Sequence, residues 1–202
     1  MSSLSQWESR YAEPDYAYGR EPNAFVASVA REIPPGPVLC LAEGQGRNAV
    51  HVASLGHPVV AVDRSVTGLR RARELARERG VSIETAAVDL ADIAIERGAW
   101  AGIVSVFAHL PAPLRARVHR AAVAGLRPGG VFILEAYAPR QLEFGTGGPK
   151  VPELLVPLDA LRAELAGLDL VIARETERDV VEGRYHTGRG AVVQVLGRKP
   201  AP

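Results

Sequence analysis

Gly44, Gln45, Gly46, Arg47, Asn48 and Ala49 run as G-x-G-x-x-A, and Asp63 stands 17 residues after the second glycine. Glycines at that spacing let a backbone turn tightly beside a ligand, and a helix starting there turns its amide N–H groups toward polar atoms. An acid at the tip of the next strand accepts hydrogen bonds from ribose hydroxyls. Directly before the first glycine sits Glu43. A carboxylate there repels a pyrophosphate and attracts an ammonium or a sulfonium.

Such a turn needs a strand before it and a helix after it. From Pro37 the chain supplies both repeatedly: PVLCLAEG then RNAVHVASLG, HPVVAVD then GLRRARELARERG, VSIETAAVD, AGIVSVF, a helix over 111–127, and VFILEAYA. Strands that are nearly continuous apolar runs, separated by helices, predict an α/β fold with a parallel sheet covered on both faces. Ligands in such sheets sit at the carboxyl ends of the strands. Beyond them come PRQLEFGTGGPKVPELLVP, read as a lid at the ligand edge or as a merely mobile connection, and a helix over 158–166. Two strand-like runs follow, LDLVIARETERDV and GAVVQVLGRK, joined by VEGRYHTGRG, short enough to force an antiparallel hairpin. Ahead of Pro37, Trp7, Tyr11, Tyr16 and Tyr18 lead into EPNAFVASVAREIPP, a helix with Pro22 near its first turn and Phe25, Val26, Val29 and Ile33 as its apolar positions. Residues 1–202 read as one domain, with 1–35 as a helical cover and 36–199 as the core.

Hydrophobic residues at 47% and charged residues at 23% are the balance of a soluble globular chain rather than a disordered or membrane-spanning one. Of the 24 basic residues only Lys150 and Lys199 are lysines, and many arginines alternate with glutamate, as Arg70, Arg71 and Arg77 do with Glu74 and Glu78. That spacing makes a solvated, self-paired helix face rather than a nucleic-acid stripe. Cys40 is the single cysteine, mid-strand, which leaves no intrachain disulfide and no multi-cysteine metal site. MSSLSQWESRY lacks an apolar signal core and no run is long enough to cross a bilayer, so the expected location is cytoplasmic, with no membrane partner.

The stretch VLCLAEGQGRNAVHVASLGHPVVAVDRS resembles the first two motifs of class I S-adenosylmethionine-dependent methyltransferases, and LRPGGVFILE resembles their helix after strand four and fifth strand. The likeness runs from about Pro37 to Lys199. Within that class the GRN-A helix start, the GTGGP loop and the hairpin with His186 are similar to small methyltransferases of the tellurite-resistance type. The resemblance implies a Rossmann-like class I methyltransferase fold: a seven-stranded, mostly parallel sheet with one antiparallel C-terminal strand and helices on both faces. It implies S-adenosyl-L-methionine as cofactor, held by Ala42, Glu43, Gly44, Gln45, Gly46 and Asn48 at the turn and by Asp63 at the ribose. Arg64 and Ser65 flank the adenosine, Asp89 and Leu90 meet the adenine edge, and Phe107 and Ala108 line the methionyl and ribose side. Tyr18 or Arg20 of the cover is expected near the methionine end. Asp89 also reads as the N-cap of a helix over ADIAIE. The family pattern carries Asp where this chain has Cys40 and Gly where it has Ala42, so Glu43 reads as taking over the ammonium group or as a surface carboxylate at a loop tip.

The activity implied is in-line methyl transfer, without a metal, to a small-molecule acceptor such as an oxyanion or a thiol. Strand four ends in FAHLP, not in the Asn- or Asp-Pro-Pro-aromatic motif of enzymes that methylate nucleic-acid bases, which argues against a nucleic-acid partner. His109 reads as a substrate contact or as the neighbour of the following helix. His186 reads as base or substrate anchor, or as a solvent-facing hairpin residue; Arg184, Arg189, Arg140 and Lys150 read as attracting an anionic nucleophile or as ordinary surface residues. His51, His57 and His119 read as structural. The chain is expected as a monomer or homodimer. Two other functions share the turn: an S-adenosylmethionine-binding protein without catalysis, and a nicotinamide-dependent reductase.

Overall fold

The computed structural model describes residues 4–201; Met1, Ser2, Ser3 and Pro202 of the expected cover and domain lie outside them. Seven strands form one sheet: β1 (Val38–Leu41), β2 (Val59–Asp63), β3 (Glu84–Ala87), β4 (Trp100–Val106), β5 (Leu126–Tyr137), β6 (Asp169–Glu182) and β7 (His186–Arg198). Their order is β3-β2-β1-β4-β5-β7-β6. β1 pairs in parallel with β2 and β4, as do β2 with β3 and β4 with β5, while β7 runs antiparallel to both β5 and β6. One reversed strand, the last, is the expected topology.

Successive strand residues face opposite sides, so the apolar runs feed two cores. Val38, Cys40, Val104 and Ile133 pack with Phe25, Val26 and Val29 of α2 (Ala24–Val29) and Val52 of α3 (Arg47–Ser54). Leu39, Leu41, Ile103 and Phe132 pack on the other side with Val118 and Ala122 of α5 (Ala112–Gly125) and Leu161 of α6 (Leu158–Glu164). The remaining helices are α1 (Leu4–Tyr11) and α4 (Val66–Glu78), and α4 carries the Arg70–Glu74 and Arg71–Glu74 ion pairs on its outer face. The α2 helix begins after Pro22: Asn23 caps it, its Oδ1 accepting from the Val26 amide at 3.0 Å. No helix of the described residues is long and apolar enough to cross a membrane.

Two stretches depart from expectation. The closing hairpin is a long ribbon with a turn of only three residues, Gly183 to Tyr185, because its polar residues are strand residues. Along its tip the usual pattern is inverted: Val181 is 81% exposed while Glu182 is 6% exposed. The stretch read as a lid is fastened down. Gln141 Nε2 donates to Thr146 Oγ1 and to the Gly147 carbonyl, Thr146 Oγ1 donates to the Arg189 carbonyl at 2.7 Å, and Gln141 Oε1 accepts from the Ala191 amide at 2.8 Å.

Candidate functional site

A cavity of about 300 Å³ opens at the carboxyl ends of β1, β2 and β4, roofed by Trp7, Tyr11 and Tyr18 of the cover and by His186 at the start of β7. At its floor the first turn is held by its own acids. Glu43 Oε1 accepts from the amides of Asn48 at 2.9 Å and Ala49 at 2.8 Å, so the carboxylate caps α3, where a negative group offsets the helix dipole. Burial nevertheless pushes the Glu43 carboxyl up to about 7, against the pull of those amides and of Arg47. Asp63 Oδ2 accepts from the Gly44 amide and Oδ1 from the Ser65 amide, each at 2.8 Å, and burial raises this carboxyl as well. Both acids line the cavity.

The glycines of the turn serve packing. A Cβ on Gly44 would meet the Tyr11 hydroxyl at 2.6 Å, and one on Gly46 would meet the Ala72 Cβ of α4 at 2.5 Å. Neither glycine lines the cavity, and neither does Ser65, whose Oγ instead accepts from the Gly68 amide to cap α4. Gln45 and Asn48 do line it, and both fasten the cover: Gln45 Oε1 accepts from the Ala17 amide at 2.7 Å, and Asn48 Oδ1 from the Asn23 amide at 2.9 Å. Ala42 and Phe107, at the ends of β1 and β4, have φ of 49° and 50°. For residues with a Cβ such a backbone costs on the order of 1 kcal/mol.

Leu90, Val106, Ala108, Leu110 and Leu114 are the apolar part of the same lining, which also includes Arg64 and Asp89, an ion pair at 3.8 Å. No helix follows Asp89; its Oδ1 accepts from the Ala91 amide at 2.8 Å in a turn, which removes the helix-cap reading. At the hairpin end four rings cluster. His186 lies 4.5 Å from Tyr18 and 4.6 Å from Phe107 between ring centroids, and Tyr137 stacks behind Phe107 at 4.6 Å. His109 is 6.4 Å from His186. Burial pushes both imidazoles down, His109 to about 4 and His186 to about 2, so both rings are neutral near pH 7.

The cavity thus gathers Tyr18, Ala42, Glu43, Gln45, Asn48, Asp63, Arg64, Asp89, Leu90, Phe107, Ala108, His109 and His186 from six separate stretches of chain. His186 is a strand residue, 4% exposed, not a solvent-facing loop residue. Arg184 is not brought there: it points outward to Glu13 at 2.8 Å and Asp15 at 3.7 Å. Arg20 pairs with Glu78, Arg140 and Arg189 both pair with Glu177, and Lys150 is exposed, so none of these four forms the cavity wall. His119 pairs with Glu164 at 2.7 Å and His57 sits against the Gly36 carbonyl, both away from the site.

Sequence reasoning missed Arg47, which lines the cavity with its Nη2 donating to Glu182 Oε2 of β6. Glu182 Oε1 also accepts from Asn23 Nδ2 and Arg178 Nη2, and Glu135 of β5 accepts from Asn23, Arg178 and Gln194. Arg47 lies inside the quoted motif, but its partner is 135 residues away, and nothing local in the sequence connects them.

Residues 38–130 match the family profile of a methyltransferase domain. No curated protein matches the chain in sequence. Among solved structures it is similar to a protein from a study of the conversion of a disulfide bond into a thioacetal group during echinomycin biosynthesis, with TM-score 0.73, 22% identity, and 98% of this chain and 90% of that chain covered. It is similar to a SAM-dependent methyltransferase from Methanosarcina mazei, with TM-score 0.70, 15% identity and coverage of 90% and 100%. It is also similar to TehB from Haemophilus influenzae, with TM-score 0.69, 19% identity and coverage of 97% and 66%. At these identities the structural likeness is one of fold.

Proposed function

We propose that this chain, which belongs by its domain and its fold to the class I S-adenosylmethionine-dependent methyltransferases, methylates a small molecule inside the cavity described above, with residues 1–35 acting as a cover and 36–199 as the catalytic core. The observation that carries this reading is the pair of amide-held acids, Glu43 and Asp63, lining the same cavity as the apolar Leu90, Val106 and Leu110.

The residues present suit the cofactor. Glu43 offers negative charge to an ammonium group, and Asp63 has lone pairs left for ribose hydroxyls after serving two amides. Leu90, Val106 and Leu110 offer adenine an apolar face, with Asp89 at its edge. A pyrophosphate would lie against Glu43 and be repelled, which disfavours the nicotinamide reading. S-adenosylmethionine supplies, when bound, a methyl group on a cationic sulfur that a nucleophile's lone pair takes up while the C–S electron pair returns to sulfur.

The chain's own part is alignment and exclusion of water. Tyr18, Phe107 and His186 close around the acceptor end, and the amides of the first turn keep both acids in place. With its basicity lowered by burial, His186 serves as a substrate anchor rather than as a general base. Of the arginines on and after α4, Arg70, Arg71 and Arg79 are taken up by glutamates, which favours a small acceptor over a nucleic acid. The likeness to TehB makes oxyanions, beside thiols, the first acceptors to try.

Isothermal calorimetry with S-adenosylhomocysteine and with NADH tests the reading. Binding of the first, lost in Asp63→Ala, together with no binding of NADH is the expected result; NADH binding alone would refute it.

A further inference from the structure

Two buried polar atoms on the cavity wall have no hydrogen-bond partner among the described residues: Arg47 Nη1 and His186 Nδ1. Both residues are more than nine-tenths buried, Arg47 at 7% exposure and His186 at 4%. An unsatisfied donor on a buried cation is costly, and such an atom persists where a ligand completes it. The two are brought together through Glu182, which accepts from Arg47 and stands opposite His186 in the β6–β7 register, and both residues line the cavity.

Arg47 is also held rigidly. Its Nη2 donates to Glu182, which Asn23 at 2.9 Å and Arg178 at 2.6 Å hold in turn. Half of the guanidinium is therefore fixed to β6, and the other half is left without a partner in a residue that lines the cavity.

We propose that Arg47 Nη1 and His186 Nδ1 form the anion-selecting part of the acceptor subsite, so that the methyl acceptor binds as a preformed compact anion beside Tyr18, Phe107 and His109. This rests on the methyl-transfer reading and names the acceptor's charge state within it. The two histidines beside the subsite are neutral and weakly basic, so an acceptor that arrives already deprotonated needs neither as a base. The enclosing rings strip water from the anion, which leaves it a stronger nucleophile. Methylation removes the negative charge, and with it the hold of Arg47 on the product.

Thiocyanate, a compact monoanion with a nucleophilic sulfur, is the probe. Titrated into protein saturated with S-adenosylhomocysteine, thiocyanate should bind, and uncharged methyl thiocyanate should not displace it. Arg47→Gln should weaken thiocyanate by about tenfold or more, the loss expected for a charge-assisted hydrogen bond, and leave S-adenosylhomocysteine affinity unchanged. Arg47→Lys keeps the charge beside Glu182 without the second nitrogen and should show the same selective loss if the glutamine variant does not fold.

The carboxylate of the cofactor is the other source of such an anion. If Arg47→Gln weakens S-adenosylhomocysteine but not 5′-methylthioadenosine, which lacks that carboxylate, the cofactor occupies Arg47 and the proposal falls. It falls equally if thiocyanate does not bind the wild-type protein. Wild-type protein that binds no S-adenosylhomocysteine defeats the methyl-transfer reading instead, and thiocyanate titrated into the free protein then still reads the subsite.

Discussion

The buried acids of two regions are held by different means: Glu43 and Asp63, after β1 and at the end of β2, line the cavity, while Glu135 and Glu182, of β5 and β6, do not. On the side of β1 and β2, the acids are held by backbone amides a few residues away: Glu43 by Asn48 and Ala49, Asp63 by Ser65 and, across one helix, Gly44. On the side of β5, β6 and β7, they are held by side chains from distant stretches, Glu135 by Asn23 and Arg178, Glu182 by Asn23, Arg178 and Arg47. Amide-held carboxylates need only local backbone geometry and keep lone pairs free for a ligand. Ion-held carboxylates depend on the assembled tertiary structure and expose nothing unless a partner has a nitrogen to spare, as Arg47 does.

The largest effect should come from breaking the ion-held side. Glu135 is fully buried and accepts from Asn23, Arg178 and Gln194. Glu135→Ala leaves Arg178 without its main partner in the interior, a loss of about 3–5 kcal/mol in urea denaturation, and Glu135→Gln should lose less.

The amide-held side should instead respond to pH. Burial holds the Glu43 carboxyl at about 7 against its ordinary 4.5. Between those values the folded state binds more protons than the unfolded, so this group's contribution to stability falls as pH rises through the window. A cationic ligand prefers the ionised carboxylate, so S-adenosylhomocysteine affinity should rise from about pH 6 to about pH 8, and Glu43→Gln should flatten that slope.

A smaller change sharpens the contrast at the strand end. Ala42 holds φ at 49° with a Cβ, and Ala42→Gly should raise stability in urea denaturation by up to about 1 kcal/mol, since glycine adopts that φ without strain. Smallest of all is Arg184→Ala. The Arg184 side chain is 59% exposed in its pairs with Glu13 and Asp15. Its loss should change stability by less than about 0.5 kcal/mol and leave turnover as it was.

The same contrast separates what the sequence discloses from what it hides. The sheet up to β5, the turn at Gly44 and Asp63 at the tip of β2 are legible because period-two apolar runs, glycines and a terminal acid are local signals. Cys40 was readable as a buried strand residue for the same reason, and it is fully buried. The hairpin was not legible to its true length, because ETERDVVEG carries the polar residues of a turn and buries Glu182 while exposing Val181. Whether Arg184 or Arg47 faces the cavity depends on that register and on partners far along the chain. Neighbouring residue types do not encode it.

The seats of the leading segment carry one more consequence. The Ala17 amide donates to Gln45, the Tyr16 hydroxyl to the Arg71 carbonyl, and the Ala17 carbonyl accepts from the Arg184 amide at 3.0 Å. Tyr16 and Ala17 therefore reach their final berth only once Arg71 and Arg184, far along the chain, are in place. The aromatic roof is thus a product of tertiary assembly rather than of the leading segment alone.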